Sequence, residues 1–199
     1  MNTKWVIASN NLKKRAEIAA ILNDLAIDIV PLEETIFVDV NENGATFAEN
    51  AAKKARAFAH ANQCAALADD SGLCVQALDG APGVYSARFS GEDATDAENN
   101  TKLLQAMHNH ENRDAFFTCS MHLEFIGNHP PITADGTVDG QILSPSAIIK
   151  NSDAQGFGYD PLFFCPELGQ SFAQATPEEK ASVSHRGRAL RALVSQLQC

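Results

Sequence analysis

This 199-residue sequence has few cations, few aromatic residues and no long apolar run. Its 15 lysines and arginines are outnumbered by 25 aspartates and glutamates, which gives a formal net charge of −10. A protein that neutralises many phosphates of a nucleic-acid backbone is usually basic, so we expect no nucleic-acid polymer as partner. A small anionic ligand, held by a few local cations, remains compatible with this charge.

The sequence also lacks an apolar stretch long enough for a signal peptide or a membrane span. Its five cysteines are odd in number and widely spaced, and no two of them form a close pair. A zinc site or a disulfide framework is therefore not expected. We expect a cytoplasmic protein that does not contact a membrane.

Hydrophobic residues make up 45% of the chain, which is enough for one folded domain over residues 1–199. Strand-like segments alternate with helical ones, and this predicts an α/β fold with a mixed sheet. The predicted strands cover residues 4–9, 28–32, 64–70, 115–126 and 131–142. The predicted helices cover residues 12–25, 46–61 and 93–107, followed by a helix after residue 176 and a last helix from about residue 185.

Helix caps strengthen two of these helices. Thr46 with Glu49, and Thr176 with Glu179, have the spacing of capping boxes, and Pro177 suits a helix start. The periodicity of the last helix places four residues on its buried face: Leu190, Leu193, Val194 and Leu197.

Two adjacent aspartates, Asp69 and Asp70, are followed directly by Ser71 and Gly72. One interpretation is a solvated turn, because Asp, Ser and Gly are ordinary turn residues. The other interpretation places the pair at the end of a central strand, at the edge of the sheet where α/β proteins bind ligands. A carboxylate there can hold a metal ion or take a proton from water, and a metal would relieve the repulsion within the pair.

The stretch SNNLKK, residues 9–14, lies between a predicted strand and a predicted helix. Backbone N–H groups at a helix start can bind an anion, with Ser9 and Asn11 as further donors and Lys14 as a cation. The alternative is a capped surface helix with its lysines in water. The glycine-rich run of a P-loop is missing, so this motif by itself does not decide between the two.

An acidic loop precedes the helix that begins near Thr46. Glu42 and Glu49 lie near this helix start, with Lys53 and Lys54 a turn or more later. Grouped oxygen ligands suit Mg²⁺, which takes one or two carboxylates together with phosphate oxygens. Glu49 is already explained as a cap partner and Lys53 as a solvated side chain, which leaves Glu42 without a structural role.

Two later segments carry further candidates. In GFGYDP, residues 156–161, two glycines let the backbone approach a flat ligand, and Phe157 offers a stacking face. The alternative is a tight loop with a core phenylalanine. In EEKASVSHRGR, residues 178–188, hydrogen-bond donors concentrate around a helix start, although a solvated basic face is the alternative. These donors are Lys180, His185, Arg186 and Arg188.

Six motifs follow one another in a specific order: Ser9-x-Asn11-x-x-Lys14, TFAENAAKKA, ADDSGL, GAPGVYSARFSG, GFGYDP and EEKASVSHRG. In this order they resemble the inosine/xanthosine triphosphate pyrophosphatases, a family that removes non-standard purine nucleotides from the nucleotide pool. The likeness runs from about residue 4 to residue 197. Each motif is modest alone, but the ordered set is highly specific.

The resemblance implies an elongated α/β fold with a central mixed sheet flanked by helices, and two lobes with a nucleotide cleft between them. It implies a homodimer. It also implies Mg²⁺-dependent hydrolysis of ITP, dITP or XTP to the monophosphate and pyrophosphate.

The resemblance also implies roles for individual residues. Asp70 is the general base and a metal ligand. To these we add Glu42 as a second metal ligand, and Lys14 as a catalytic residue that would stabilise charge on the departing pyrophosphate. The residues that would hold the phosphates are Ser9, Asn10, Asn11, Leu12, Lys13 and Lys14, assisted by Lys54. The residues that would contact the rest of the substrate are Ser71, Phe157, Gly158, Tyr159, Asp160, Lys180, His185 and Arg186, of which the last three read the purine edge.

This sequence departs from the family pattern at two positions. The acidic loop usually carries two consecutive carboxylates, whereas here Asn41 precedes Glu42. If the first position is the metal ligand, a charged ligand has been lost, and we take Glu42 as the surviving one. Asn10 stands where the family often has glycine, a change that a positive φ at this residue would make tolerable.

Two other functions are compatible with parts of the pattern. The neighbouring septum-inhibitor-like pyrophosphatases, which act on pyrimidine or modified bases, share this type of N-terminal strand, loop and helix, but ADDSGL and SHRG argue against them. A non-catalytic nucleotide-binding module would fit the loss at Asn41. The presence of Asp70, Lys14 and Arg186 argues against that module.

Overall fold

The structure is a computed structural model that describes residues 4–24, 27–148 and 156–197. Its strands are β1 (Trp5–Ile7), β2 (Ala65–Val75), β3 (Asp114–Glu124), β4 (Ile132–Ile142), β5 (Phe163–Cys165) and β6 (Gln170–Ser171). Its α-helices are α1 (Leu12–Asp24), α2 (Phe47–Asn62), α3 (Asp96–Ala106), α4 (Pro177–Val183) and α5 (His185–Ser195). Short 3₁₀ helices cover Leu32–Glu34, Gln76–Leu78 and Gly83–Arg88.

The six strands form one mixed sheet in the order β1-β2-β3-β4-β5-β6, flanked by helices. β1 runs parallel to β2, with Trp5 opposite Ala65, and the chain between these strands contains α1 and α2. A parallel pair requires such a crossover, whereas β4 pairs antiparallel with β5, and β5 pairs antiparallel with β6 through the short connection 166–169. The predicted mixed α/β sheet is confirmed.

The chain divides into two compact units, each with its own apolar core. The first unit comprises Met1–Asp70, Cys119–Gly136 and Arg186–Cys199, and the second comprises Ser71–Thr118 and Thr137–His185. Core residues of the first unit include Val6, Ala8, Phe58, Ala66 and Ala68. Core residues of the second unit include Leu73, Val75, Phe117, Phe163 and Phe172. The strands β2, β3 and β4 each contribute residues to both units.

Two strand predictions need correction. The strand expected at residues 28–32 is wrong, because this segment forms one isolated parallel bridge, between Ile29 and Trp5. Pro31 has no N–H to continue a ladder, and a 3₁₀ helix begins at Leu32. The strand expected to end at Asp70 continues to Val75, because the residues that follow are buried in the second unit.

The helix predictions hold with corrections at the ends. The capping box at Thr176 and Glu179 is complete, but at the start of α2 only half of one forms. There the Thr46 hydroxyl accepts the N–H of Glu49, while the Glu49 carboxylate accepts the N–H of Ala45 at 2.7 Å. Leu197 is not buried as expected, because it lies beyond the end of α5 and is 39% exposed.

Other differences concern the start of α3 and two short strands. The helix expected from residue 93 begins at Asp96, where Thr95 and Glu98 form a capping box. The short strands β5 and β6 were not expected. In the described part of the chain, no helix is both long and apolar enough to cross a membrane.

Candidate active site

Asp69 and Asp70 lie in the middle of β2, not in a turn and not at the end of the strand. Both are buried, with 1% and 8% of their surface exposed, which rules out the solvated turn. Ser71 and Gly72 do not end the strand, because Leu73 directly after them packs in the core of the second unit. In this strand Ser71 is half-buried and every other residue is buried.

Asp70 shares one lysine with Glu42. Lys54 Nζ lies 2.5 Å from Glu42 Oε2 and 3.4 Å from Asp70 Oδ1, so the two carboxylates converge on the same ammonium group. The structure therefore brings Glu42, Lys54 and Asp70 together, from the acidic loop, α2 and β2.

Asn50 completes this group, and sequence reasoning missed it. Its side-chain amide donates to Asp70 Oδ2 at 3.1 Å and accepts the N–H of Gly44 at 2.7 Å. A Cβ atom at Gly44 would lie 2.6 Å from Asn50 Oδ1, so the acidic loop can approach this closely only with glycine there. The available signal was spacing, because Asn50 and Lys54 are four residues apart and so share a helix face.

The surroundings of Asp70 raise its pKa. Burial contributes most, the negative charge of Glu42 adds to it, and the cations Lys54 and Lys14 and the hydrogen bond from Asn50 oppose it. Burial would by itself lower the pKa of Lys54, but the carboxylates of Asp70, Asp69 and Glu42 outweigh that effect and raise it. Lys54 therefore stays charged, whereas Asp70 is a carboxylate of increased basicity.

Asp69 has a different set of partners. Its Oδ2 accepts from Arg186 Nε and Nη2 at 3.2 and 3.1 Å and lies 3.7 Å from Lys14 Nζ. Burial would raise the pKa of Asp69, but Lys14 and Arg186 outweigh it, so the pKa is held well below its usual range. Arg186 also forms an ion pair with Glu17, a partner that sequence reasoning did not single out. The structure thus places Arg186 in the first unit, on two carboxylates; its purine-reading role stays a prediction.

The start of α1 is capped, as the interpretation of a surface helix expected, but Lys14 pairs with Asp69 and does not lie in water. Asn11 Oδ1 accepts the N–H groups of Lys13 and Lys14 at 3.0 and 3.1 Å, and the Ser9 hydroxyl accepts the N–H of Asn11. Those donors are therefore engaged within the helix cap, and the cationic side chain of Lys14 is the feature directed at Asp69. Leu12 is exposed at this helix start.

Asn10 does not meet the condition set for it above. Its side chain donates to the carbonyl of Val38 at 3.2 Å. Among the described residues other than glycine, Gln63 and Asp79 have a positive φ, and Asn10 does not. Its phosphate-binding role, like those of Ser9, Asn11, Leu12 and Lys13, stays a prediction.

Glu42 and Asp70 supply carboxylate oxygens, the ligand type that suits Mg²⁺, which is commonly held by one or two carboxylates with phosphate oxygens completing its shell. In this structure both carboxylates pair with the ammonium group of Lys54. In the described ranges, no group of three or more His, Cys, Asp or Glu side chains could hold a metal by itself. Asn41, by contrast, is exposed.

The second unit carries a separate group around Lys180. Lys180 Nζ lies 2.7 Å from Asp160 Oδ2, and both side chains are buried. The ammonium group also lies over the rings of Phe157 and Phe172, 5.0 and 5.6 Å from their centres. Asp160 Oδ2 accepts the N–H of Phe157 at 2.8 Å, and a Cβ at Gly156 would clash with this carboxylate.

The remaining residues of this group are fixed by aromatic and backbone contacts. The His185 ring stacks on Phe117 with 4.8 Å between ring centres. The Tyr159 hydroxyl donates to the carbonyl of Ser86 at 2.9 Å. Half-buried Phe157 beside the buried cation of Lys180 has the features of a site for a flat, electron-rich ligand.

A profile of the Ham1 family matches residues 5–196, and the chain belongs to this family. The chain is 45% identical to a dITP/XTP pyrophosphatase of Nitrosomonas europaea, over 98% of this chain and 94% of that protein. It is 43% identical to the dITP/XTP pyrophosphatase of Escherichia coli, over 98% of both proteins.

The fold is shared with solved structures of the family. The structure of a HAM1 protein from Coxiella burnetii matches with a TM-score of 0.84 at 40% identity, covering 98% of both chains. The resemblance inferred from the six ordered motifs is confirmed.

Proposed function

We propose that this chain hydrolyses non-standard purine nucleoside triphosphates, namely ITP, dITP and XTP, to the monophosphate and pyrophosphate. Relatives that carry the name dITP/XTP pyrophosphatase match nearly the whole chain, which supports this substrate class. The observation that carries the proposal is the convergence of Asp70 and Glu42 on Lys54, with the pKa of Asp70 raised.

In this proposal Glu42 and Asp70 hold Mg²⁺. The metal ion, when bound, would neutralise phosphate charge and lower the pKa of nearby water. Asn50 binds the Asp70 carboxylate and the backbone N–H of Gly44, which supports the position of Asp70 and of the acidic loop that carries Glu42. Lys54 balances their negative charge.

Asp70 orients the attacking water and accepts its proton. The water oxygen forms a bond to the α-phosphorus, the bond from this phosphorus to the bridging oxygen breaks, and pyrophosphate leaves. Lys14 stabilises the charge that builds up on the leaving pyrophosphate. Ser9 to Lys13 hold the phosphates and Ser71 contacts the substrate.

Choice of base follows from hydrogen-bond donors. Hypoxanthine and xanthine present a carbonyl oxygen where adenine presents an amino group. The side chains of Lys180 and Arg186 have donors and no acceptor, so they can pair with that carbonyl but not with an amino group. A polar mismatch of this kind discriminates strongly between substrates. Phe157 stacks on the base, and Gly158, Tyr159, Asp160 and His185 complete its surroundings.

The test is pyrophosphate release from ITP, XTP, GTP, ATP and CTP, each with and without Mg²⁺. Fast, metal-dependent release from ITP and XTP is the expected result, with slow release from ATP and CTP, and also from GTP, whose guanine shares the carbonyl but carries a 2-amino group. Binding without release would instead indicate a nucleotide-binding module. Preference for the pyrimidine nucleotide would indicate the neighbouring class of pyrophosphatase.

We further propose that the chain forms a homodimer, as the family resemblance implies, and that it is cytoplasmic, as the cysteine pattern predicts. Sedimentation equilibrium of the purified chain tests the dimer, with a single species of twice the 21.4 kDa chain mass as the expected result. A species of the chain mass at all concentrations would contradict it.

A further inference from the structure

We propose that Asp96 and Asn100 of α3 are positioning residues for the segment Phe157–Asp160, which they hold through the backbone of Gly158. This inference rests on the proposed function, because it assigns the segment to the purine base. Neither residue belongs to the six motifs.

The two side chains bind both polar backbone groups of one glycine. Asp96 Oδ2 accepts the N–H of Gly158 at 2.8 Å, and Asn100 Nδ2 donates to the carbonyl oxygen of Gly158 at 3.0 Å. Asp96 and Asn100 are four residues apart on α3, so they project from the same face of the helix. An acceptor and a donor on that face therefore match the N–H and C=O of Gly158.

The backbone conformation at Gly158 depends on contacts from outside the segment. Its φ is +61°, and Gly156 on the other side of Phe157 has a φ of +108°. Glycine has little conformational preference of its own, so a loop with glycine on both sides of an aromatic ring does not fix that ring by backbone preference. The contacts from α3 supply this restriction.

The other contacts of the segment involve Phe157, Tyr159 and Asp160, whereas the side chains that bind Gly158 come from α3. Phe157 is held through its N–H by Asp160, Asp160 pairs with Lys180, and Tyr159 is held through its hydroxyl by Ser86. Those contacts fix the two ends of the segment. The carboxylate of Asp96 is also close enough to Tyr159 for its charge to add to burial in raising the pKa of that phenol.

The start of α3 is itself firmly anchored. Thr95 and Glu98 form a complete capping box. Buried Asn99 donates to the carbonyl of Ala87 at 3.0 Å and accepts the N–H of Ser90 at 2.7 Å. A positioning residue needs such a rigid support, because any movement of its own helix would otherwise also move the ring that it orients.

The consequence is a fixed stacking face. With Gly158 held, the Phe157 ring stays beside the Lys180 ammonium before a base arrives, so binding does not have to order the loop. Without either contact, ordering the loop costs free energy when the base binds. This cost is the same in the ground state and in the transition state. That predicts a higher KM with little change in kcat.

The experiment compares Asp96→Ala, Asp96→Asn, Asn100→Ala and Asn100→Asp with the wild-type chain, using KM and kcat for ITP and the melting temperature. Asp93→Asn is the matched control, since Asp93 is an exposed acid just before α3. Each alanine variant should raise KM about three- to tenfold, the size expected for one hydrogen bond, with kcat nearly unchanged.

The two conservative variants separate positioning from general weakening of the fold. Asp96→Asn keeps an acceptor for the Gly158 N–H, so it should recover most of the wild-type KM. Asn100→Asp keeps the shape but faces the Gly158 carbonyl with a second acceptor, so its KM should exceed that of Asn100→Ala.

Equal KM values for wild type and all four variants, in an active enzyme, would overturn this inference alone. So would a fall in kcat and melting temperature without the predicted order of the conservative variants. Absence of turnover by the wild-type chain would overturn the proposed function and this inference with it.

Discussion

Asp69 and Asp70 are neighbours in one strand, yet their pKa values are shifted in opposite directions. Burial would raise both, but Lys14 and Arg186 lower the pKa of Asp69, whereas Asp70 keeps a raised pKa beside Glu42. Two adjacent carboxylates in different surroundings can therefore do different work. Asp69 stays a permanent anion that holds two cations, and Asp70 is able to take a proton.

Asp70→Asn should reduce pyrophosphate release about 10²- to 10⁴-fold, because it removes the proton acceptor. The fold should persist, since asparagine keeps the shape and Glu42 still pairs with Lys54. Turnover with ITP and thermal melting measure the two effects. Asp135→Asn, which changes an exposed acid on β4, is the control. Near-normal rates for Asp70→Asn would contradict the proposed mechanism.

Glu42→Gln should increase the Mg²⁺ concentration needed for half-maximal activity by about tenfold or more. Losses of this size in metal affinity are found even when a residue that only supports a metal ligand is changed. Asn41→Asp should leave it unchanged, because Asn41 is exposed whereas Glu42 meets Asp70 at Lys54. Mg²⁺ titrations of both variants measure this. If Asn41→Asp tightened the metal and Glu42→Gln had no effect, the ligand assignment would be reversed.

Lys180→Met should lower the free energy of unfolding by about 3–5 kcal/mol, because it leaves the buried carboxylate of Asp160 without its cation. Adding Asp160→Asn should recover part of that loss, since the buried charge is then gone. Urea unfolding of both variants measures the difference. Equal stability of Lys180→Met and wild type would show that Lys180 does not compensate the buried charge of Asp160.

Tyr159 should contribute to a fall in the stability of the protein at alkaline pH. Burial, and then the charge of Asp96, raise the pKa of this phenol in the folded state above its value in the unfolded chain. The unfolded state therefore loses its proton first, and the stability that Tyr159 contributes disappears as pH rises above about 10.

Tyr159→Phe should flatten this alkaline fall, measured as the free energy of unfolding between about pH 8.5 and 11. The chain has two tyrosines, so Tyr85→Phe, at an exposed position, is the matched control and should keep the wild-type slope. Equal slopes for Tyr159→Phe and wild type would refute the assignment.

Local sequence determined most of the helices and the longer strands. Apolar periodicity predicted α1, α2 and α5, and the Thr176–Glu179 box predicted the start of α4. These signals act within one or two turns, so they can be read without the rest of the chain. The ordered motifs also determined the family, which the profile match then confirmed.

Predictions from local sequence were wrong where residues far apart in the chain decide which segments pair or are buried. It expected a strand end at Asp70, because Asp, Ser and Gly usually mark a turn, but packing of Leu73 and Val75 in the second unit continues the strand. It expected a strand at residues 28–32, where only Ile29 pairs with Trp5.

The tertiary structure alone decided which charges meet. Glu42, Lys54 and Asp70 come from three separate segments, and Asp69 binds Arg186 from the far end of the chain. No local pattern indicates these pairs, since the attraction acts between atoms that only folding brings together. Burial then removes the water that would screen them, which makes Asp70 a stronger base than an aspartate on the surface.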